Sequence, residues 1–581
     1  MSGTRRRRRP LRALVAAVSP IALLARLYPW PVEPSDDLRE HLRFLGWKLP
    51  PARLVRAGYG AGILVGAACG LALLFVPASL RFPGTVAALL LALGAIHGVH
   101  ATPGLLATAR RTSALGAAPD LVARAVLSMR LSPTPERAAE FTARSGEGVL
   151  ADDLARHVRQ TRNTARSGLL TFGDAWADRF PSLRRSLALV TAAGATPARD
   201  RGRLLDRALA AVLEGTRERM QEFAARIRTP ATALYAFGIL LPIALVALLP
   251  AAGVADVPIT PLSVVFVYNI FLPATLLVAS AWLLARRPVA FPPPDVTVDH
   301  PDVTDRTTSA LLLGVAAGVA GALVAVRAFP LWAPPIAAAG LGAGVFCWVR
   351  YRPVVGIYGR IRRVEEGLPD ALALVGRRVA NGRAVETALA RAADELDDET
   401  GAVLERGVTR QRQLQVGVRE AFLGRHDALA AVPSRRLRGS MALVALAGEE
   451  GRPAGDALLG MSDHLEDLQR IEAEARHSMD HVCRTLASTG TVFGPLVAGA
   501  TVGLADSMSG SELLPGGGQS LTWLGAPVGL YVLFLAVLLA ALSTGLTRGI
   551  DRSLVGYRAG RALVAATVTF LGSCLVVGGL A

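Results

Sequence analysis

His477 and His481 stand four residues apart, with Asp480 and Cys483 beside them. Side chains four apart share a helix face, and two imidazoles so placed could supply half of a tetrahedral metal site. The sequence offers no identifiable third ligand, so a solvated helix face is the favoured reading and no metal is expected. Glu449 and Glu450 are adjacent carboxylates that could hold a cation or cap a helix; a turn-stabilising role is favoured. Cys69, Cys347, Cys483 and Cys574 are far apart and form no CxxC pair, so neither a redox motif nor a cysteine zinc site is indicated. Lysine occurs once, at Lys48 in Gly46-Trp-Lys-Leu-Pro50, and no glycine-rich loop precedes it. A phosphate-cradling GxxxxGK loop is therefore absent, and HExxH and GxSxG do not occur. No catalytic residue, cofactor or enzymatic activity is expected.

Arginine carries the remaining chemistry. Arg184 and Arg185 in one half match Arg435, Arg436 and Arg438 in the other, and Arg360, Arg362 and Arg363 form a third group. Guanidinium forks bind carboxylates bidentately and stay charged, so these clusters could dock an acidic partner surface; solvated helix faces are the alternative. The run Arg5–Arg9 could likewise bind phosphates or a partner, with a topology anchor as the favoured reading. The formal net charge is +17, and its distribution argues against nucleic acid. Residues 1–56 carry 12 basic and 4 acidic groups, residues 104–230 carry 21 and 13, and residues 350–485 carry 21 and 21. The excess lies where anionic lipid attracts basic side chains by about 1 kcal/mol each.

These residues sit in a chain that is 52% hydrophobic with mean hydropathy +0.40, too apolar for a soluble protein of this length. The apolar residues gather in nine spans of bilayer-crossing length: 57–78, 84–103, 231–251, 262–285, 308–326, 330–349, 487–505, 522–547 and 562–580. The second contains His97 and His100, read as interfacial. With the N-terminus inside, 61 of the 63 Lys and Arg residues are cytoplasmic and only Arg81 and Arg327 face outward, as the positive-inside bias requires. The C-terminus then lies outside. Residues 11–27 combine a charged start with an apolar centre, but Arg12, Pro20 and Arg26 interrupt them. An interfacial helix is favoured over a cleaved signal.

Between the spans, apolar residues recur at three and four. Leu205, Leu209, Val212, Thr216, Met220, Phe223 and Ile227 form one stripe; Met461, Leu465, Leu468, Ala475, Met479, Val482 and Leu486 form another, interrupted by Glu472. Such stripes predict helix-bundle cores. No proline falls between Asp456 and Phe493, so that helix is expected to enter the membrane unbroken. The expected organisation is a basic cytoplasmic segment (1–56), a transmembrane hairpin (57–103), a helical domain (104–230), a hairpin (231–285), a Pro/Asp-rich linker (286–307), a hairpin (308–349), a second helical domain (350–485) and three terminal spans (486–581). The fold class is all-α, a polytopic integral membrane protein with about nine transmembrane helices and two duplicated cytoplasmic helical-bundle domains.

The duplication is carried by residues. Gly116-Ala-Ala-Pro119-Asp120 is echoed by Glu366-Gly-Leu-Pro369-Asp370, and Pro181-Ser-Leu-Arg-Arg185 by Pro433-Ser-Arg-Arg436. Leu368-Pro369-Asp370, then Asn381-Gly382 through Ala388-Leu389, then Gly448-Glu449-Glu450-Gly451 with Gly455-Asp456-Ala457-Leu458, resemble the type II secretion system F family, particularly its archaeal and tight-adherence-type members. The first copy departs from that pattern at Ala192-Ala193-Gly194-Ala195, which lacks the acidic pair. The resemblance implies an inner-membrane platform beneath a pilus, archaellum or secretion pseudopilus. Its implied partners are a cytoplasmic hexameric secretion ATPase, pilin-like subunits, membrane lipid and a second copy of the chain. A multi-pass transporter with duplicated halves is the alternative.

Overall fold

Alanine, leucine and glycine dominate the apolar spans, and among the described residues helices bond nearly all of their peptide groups internally, as a lipid environment demands. The computed structural model describes residues 20–74, 78–146, 148–162, 164, 166–242, 244–245, 248, 261–287, 296, 303–304, 306–424, 428–450, 454–510, 521–549 and 551–580. Every regular element among them is helical. Seven helices are long and apolar enough to cross a membrane: Pro51–Leu73, Gly84–Thr112, Pro261–Ala285, Thr307–Ala328, Ala454–Ser507, Gly525–Arg548 and Arg552–Gly579. Of the two other expected spans, 231–251 runs past the described residues, and 330–349 largely forms the start of the 48-residue helix Ala333–Ala380.

The chain divides into two units at Thr112 and Ser113. In the first, Ser35 caps the helix Asp36–Leu45 by accepting from the Leu38 amide at 3.3 Å, and Gly46 closes it at φ 69. Arg110 donates to the Leu45 carbonyl, and Arg111 pairs with Glu40 at 2.7 Å. His100 bonds the Val55 carbonyl at 3.0 Å, so it is a packing residue; a Cβ on Gly58 would lie 2.3 Å from its ring. His97 is exposed. The run Arg5–Arg9 and residues 11–19 lie outside the described residues; residues 20–26 are helical.

In the second unit, two segments follow one order. The helices Ala118–Leu131, Pro135–Ser145, Val149–Thr161, Gly168–Ala175, Pro181–Ala193 and Ala198–Tyr235 lead into a π-helix, Ala236–Leu240. The end of Ala333–Ala380, then Val385–Glu395, Glu399–Leu414, Val418–Leu423, Arg435–Glu450 and Ala454–Ser488, lead into another π-helix, Thr489–Phe493. The predicted stripes are the cores: Leu205, Val212, Leu465 and Leu468 are all buried. Leu127 and Leu213 of the first segment join the core of the second, and Arg217 reaches Glu474 at 3.1 Å between the two long exit helices. Val296 and Val303 of the linker are buried in that core; Pro292–Pro294 lie outside the described residues.

The expected domain edges at 230, 349 and 485 fall inside helices. As the proline-free stretch predicts, helix continues from Ala454 to Ser507, 54 residues, about 80 Å at 1.5 Å per residue. Close packing fixes the membrane end: a Cβ on Gly344 would lie 3.0 Å from the Gly560 carbonyl, and one on Gly560 would lie 2.7 Å from that of Gly344. Small residues permit such backbone approach where lipid supplies no hydrophobic drive.

Two prolines inside these helices release carbonyls that distant side chains recover. Pro369 has no N–H for the Glu365 carbonyl, and Gln469 donates to it at 2.8 Å. Pro242 has none for Gly238, whose carbonyl accepts from the buried Tyr531 hydroxyl; Tyr268 bonds the Pro242 carbonyl at 2.6 Å. Tyr531→Phe leaves an apolar surface of the same shape with the Gly238 carbonyl unmet. We expect it to destabilise the protein by about 1–3 kcal/mol, seen as a lower thermal unfolding temperature in detergent; an unchanged temperature refutes this account of the bond.

Candidate functional site

Proline placement starts the site. Pro119 opens the helix Ala118–Leu131 with Asp120 in its first turn, where the helix dipole favours an acid. The matching Pro369 and Asp370 lie within Ala333–Ala380 instead. Gly382, at φ 85, ends that helix in the left-handed conformation, with its amide on the Val379 carbonyl at 2.9 Å. Glycine suits that position because it carries no Cβ. Gly448 falls in the last turn of Arg435–Glu450, whereas Gly451 and the side chain of Glu449 lie outside the described residues.

Where the two segments meet the ends of the apolar helices, the chain encloses a cavity of about 700 Å³. Its walls come from the first segment (Asp120, Arg124 and Arg144), the second (Arg362, Arg419, Arg435, Arg436 and Arg438), the long exit helix (Glu472 and Arg476) and the residues just past or at the ends of two apolar helices (Arg287 and Arg548). Ten arginines and three carboxylates, Asp120, Glu365 and Glu472, line it, an excess of seven positive charges.

Its organising interaction is an interior ion network. Arg436 holds Glu472 through two bonds of 3.2 Å and lies 3.9 Å from Glu365. Ser434 donates to Glu365 at 2.6 Å, and Arg476 shares Glu472. Burial pulls the Arg436 guanidinium down, but Glu472 and Glu365 outweigh it and hold the group above its ordinary value. Burial pushes the Glu365 carboxyl up, against the opposing pull of Arg436 and Ser434. Arg287 is 8% exposed, its Nε has no hydrogen-bond partner, and no ion pair reaches it among the described residues. Burial lowers its pKa to about 10.

The predicted arginines therefore divide. Arg435, Arg436, Arg438 and Arg362 converge on the cavity. The Arg436 side chain is 15% exposed and its charge is taken up by Glu472 and Glu365. Arg184 and Arg185 are exposed on the first segment, away from the cavity lining, with Arg184 on Asp174 at 2.7 Å. Arg360 and Arg363 lean on Glu399, and Arg362 on Glu366. His477 and His481 collect no third ligand among the described residues. Sequence reasoning missed Arg124, Arg287, Arg476 and Arg548; the signal available was Glu472, an acid interrupting an otherwise apolar stripe. A comparison with protein-family models, curated proteins and solved structures finds no match to this chain.

Removing Glu472 strands two guanidinium groups. Glu472→Gln is expected to destabilise by about 3–5 kcal/mol, whereas replacing both Arg436 and Glu472 with apolar residues of similar volume is expected to be milder. A double-mutant cycle on thermal unfolding measures the difference; additive effects would contradict the network. The raised Glu365 carboxyl makes a second prediction. A carboxyl with a raised folded-state pKa contributes stability below its ordinary value near 4.5 that is lost as pH rises through the folded value. The wild-type advantage over Glu365→Gln is thus expected to shrink as pH climbs from that value, measured by unfolding across pH.

Proposed function

We propose that this protein is a membrane platform of a type IV pilus-like, archaellum-like or type II secretion-like assembly machine, of the type II secretion system F kind. Repetition carries the reading: two segments run through the same helix order and each ends in a long helix that passes through a π-helix into an apolar stretch. We read them as duplicated cytoplasmic domains on nine transmembrane helices, in the cytoplasmic membrane, with the N-terminus inside and the C-terminus outside.

In this reading a hexameric secretion ATPase works on the two bundles from the cytoplasm. Stiff helices that cross the membrane surface without a break carry the displacement to pilin-like subunits. A homodimer and surrounding lipid complete the assembly, and the chain itself performs no catalysis. The alternative, a duplicated transporter, calls for a substrate site at broken helices near the bilayer midplane. The large cavity lies instead where the bundles meet the helix ends, which favours the platform.

The test uses exposed arginines, because reversing Arg436 disrupts the interior network. Charge reversal of Arg184 with Arg185, and separately of Arg435 with Arg438, is expected to reduce salt-sensitive co-purification with a hexameric secretion ATPase of the same cell, and to lower filament counts, with membrane insertion intact. Single surface pairs are worth about 0–1 kcal/mol, so paired changes are needed. Reporter fusions at Thr164 and Gln415 are expected to read cytoplasmic, and fusions at Gly253 and Gly517 external. A cytoplasmic Gly517 overturns the nine-span topology; undiminished ATPase binding in both variants removes these clusters as the docking face.

A further inference from the structure

We propose that the arginine-lined cavity binds a phosphate-bearing anion, seated among Arg287, Arg476 and Arg548 and supplied by an anionic phospholipid headgroup or a soluble phosphorylated compound.

Charge makes the first case. Arginines outnumber carboxylates in the lining even with Arg144 and Arg362 paired to Glu140 and Glu366 behind it, and like-charge repulsion links Arg476 to both Arg287 and Arg548. The single carboxylate of Glu472 already serves Arg436 and Arg476. A buried charge without a partner is strongly disfavoured, yet Arg287 is nine-tenths buried, unbonded at Nε and set in the cavity wall. Glu472 attracts Arg287 only from beyond ion-pair distance, no carboxylate pairs with it directly among the described residues, and an anion supplies that contact.

Geometry makes the second. Arg287 stands two residues past the apolar helix that ends at Ala285, and Arg548 ends the apolar helix Gly525–Arg548. Both therefore lie at the depth where a lipid phosphate sits, while Arg435 and Arg438 extend the basic wall away from it. The volume, about 700 Å³, lies in the range of small-ligand pockets. Arginine forks match phosphate oxygens bidentately, and no lysine lines the cavity. The inference does not depend on the platform reading, since it rests on the cavity alone.

The experiment uses the full-length protein in phosphatidylcholine nanodiscs at fixed ionic strength, with thermal unfolding as readout. One arm titrates pyrophosphate; the other replaces part of the phosphatidylcholine with phosphatidylglycerol. Wild type is expected to gain stability saturably in at least one arm. Arg287→Gln should then need about tenfold or more of the same probe, the loss of one charged hydrogen bond, while Arg203→Gln on the outer surface responds as wild type. Without either probe, Arg287→Gln should unfold at the same or a higher temperature, because it removes an uncompensated buried charge. Arg548→Gln, at an exposed position, provides a second variant whose folding is not at stake. A response to phosphatidylglycerol alone assigns a lipid headgroup, and a response to pyrophosphate assigns a soluble compound. No saturable response in wild type, or equal responses in wild type and both cavity variants, overturns the site.

Discussion

Peptide groups cannot be left unpaired in apolar surroundings, and this chain satisfies them by extending helices rather than ending them at the expected domain edges. The helices Ala198–Tyr235, Ala333–Ala380 and Ala454–Ser488 each continue past a position where composition changes from polar to apolar. Ending a helix leaves four carbonyls without partners; carrying it through leaves none. The consequence is mechanical. A bundle built on the same helices that enter the apolar region cannot tilt without moving their inner ends.

Prolines are the exceptions, and two of them become ties between elements. Gln469 and Tyr531 recover carbonyls freed by Pro369 and Pro242 from helices distant in sequence. The two sites use different donors for a reason of environment. Gln469 belongs to a part-buried polar stretch near Glu365, whereas Tyr531 presents an aromatic body to an apolar core and offers a single hydroxyl where it is needed.

Much of the fold was legible because helices advertise themselves by period. The stripes at Leu205–Ile227 and Met461–Leu486 lie where periodicity puts the core, and the proline-free run from Asp456 foretold the continuous helix. The ends were less legible: composition marks where apolar side chains begin, while helix ends follow hydrogen bonding, so domain edges and helix edges disagree. The site was half legible. The Arg435–Arg438 cluster stood out by density, but Arg124, Arg287, Arg476 and Arg548 are single residues on four different helices or turns, and only tertiary packing brings them together. Glu472 carried the missing information, since an acid on a buried stripe calls for cations, and Arg476 one turn on is only one of the two it holds.

The same packing gives the cavity a position of leverage. Its walls draw on both helical segments and on the ends of two apolar helices, so the relative placement of these parts sets how its charges are spaced. An occupant that bridges Arg287 and Arg548 to the bundle favours whichever arrangement holds them closest. A ligand shifts a conformational balance only by its difference in affinity for the two states, and repulsion of Arg476 with Arg287 and Arg548 makes that difference steep in their separation. The arginines that repel one another across the cavity are thus the ones through which an anion stiffens the junction between the bundle and the apolar helices.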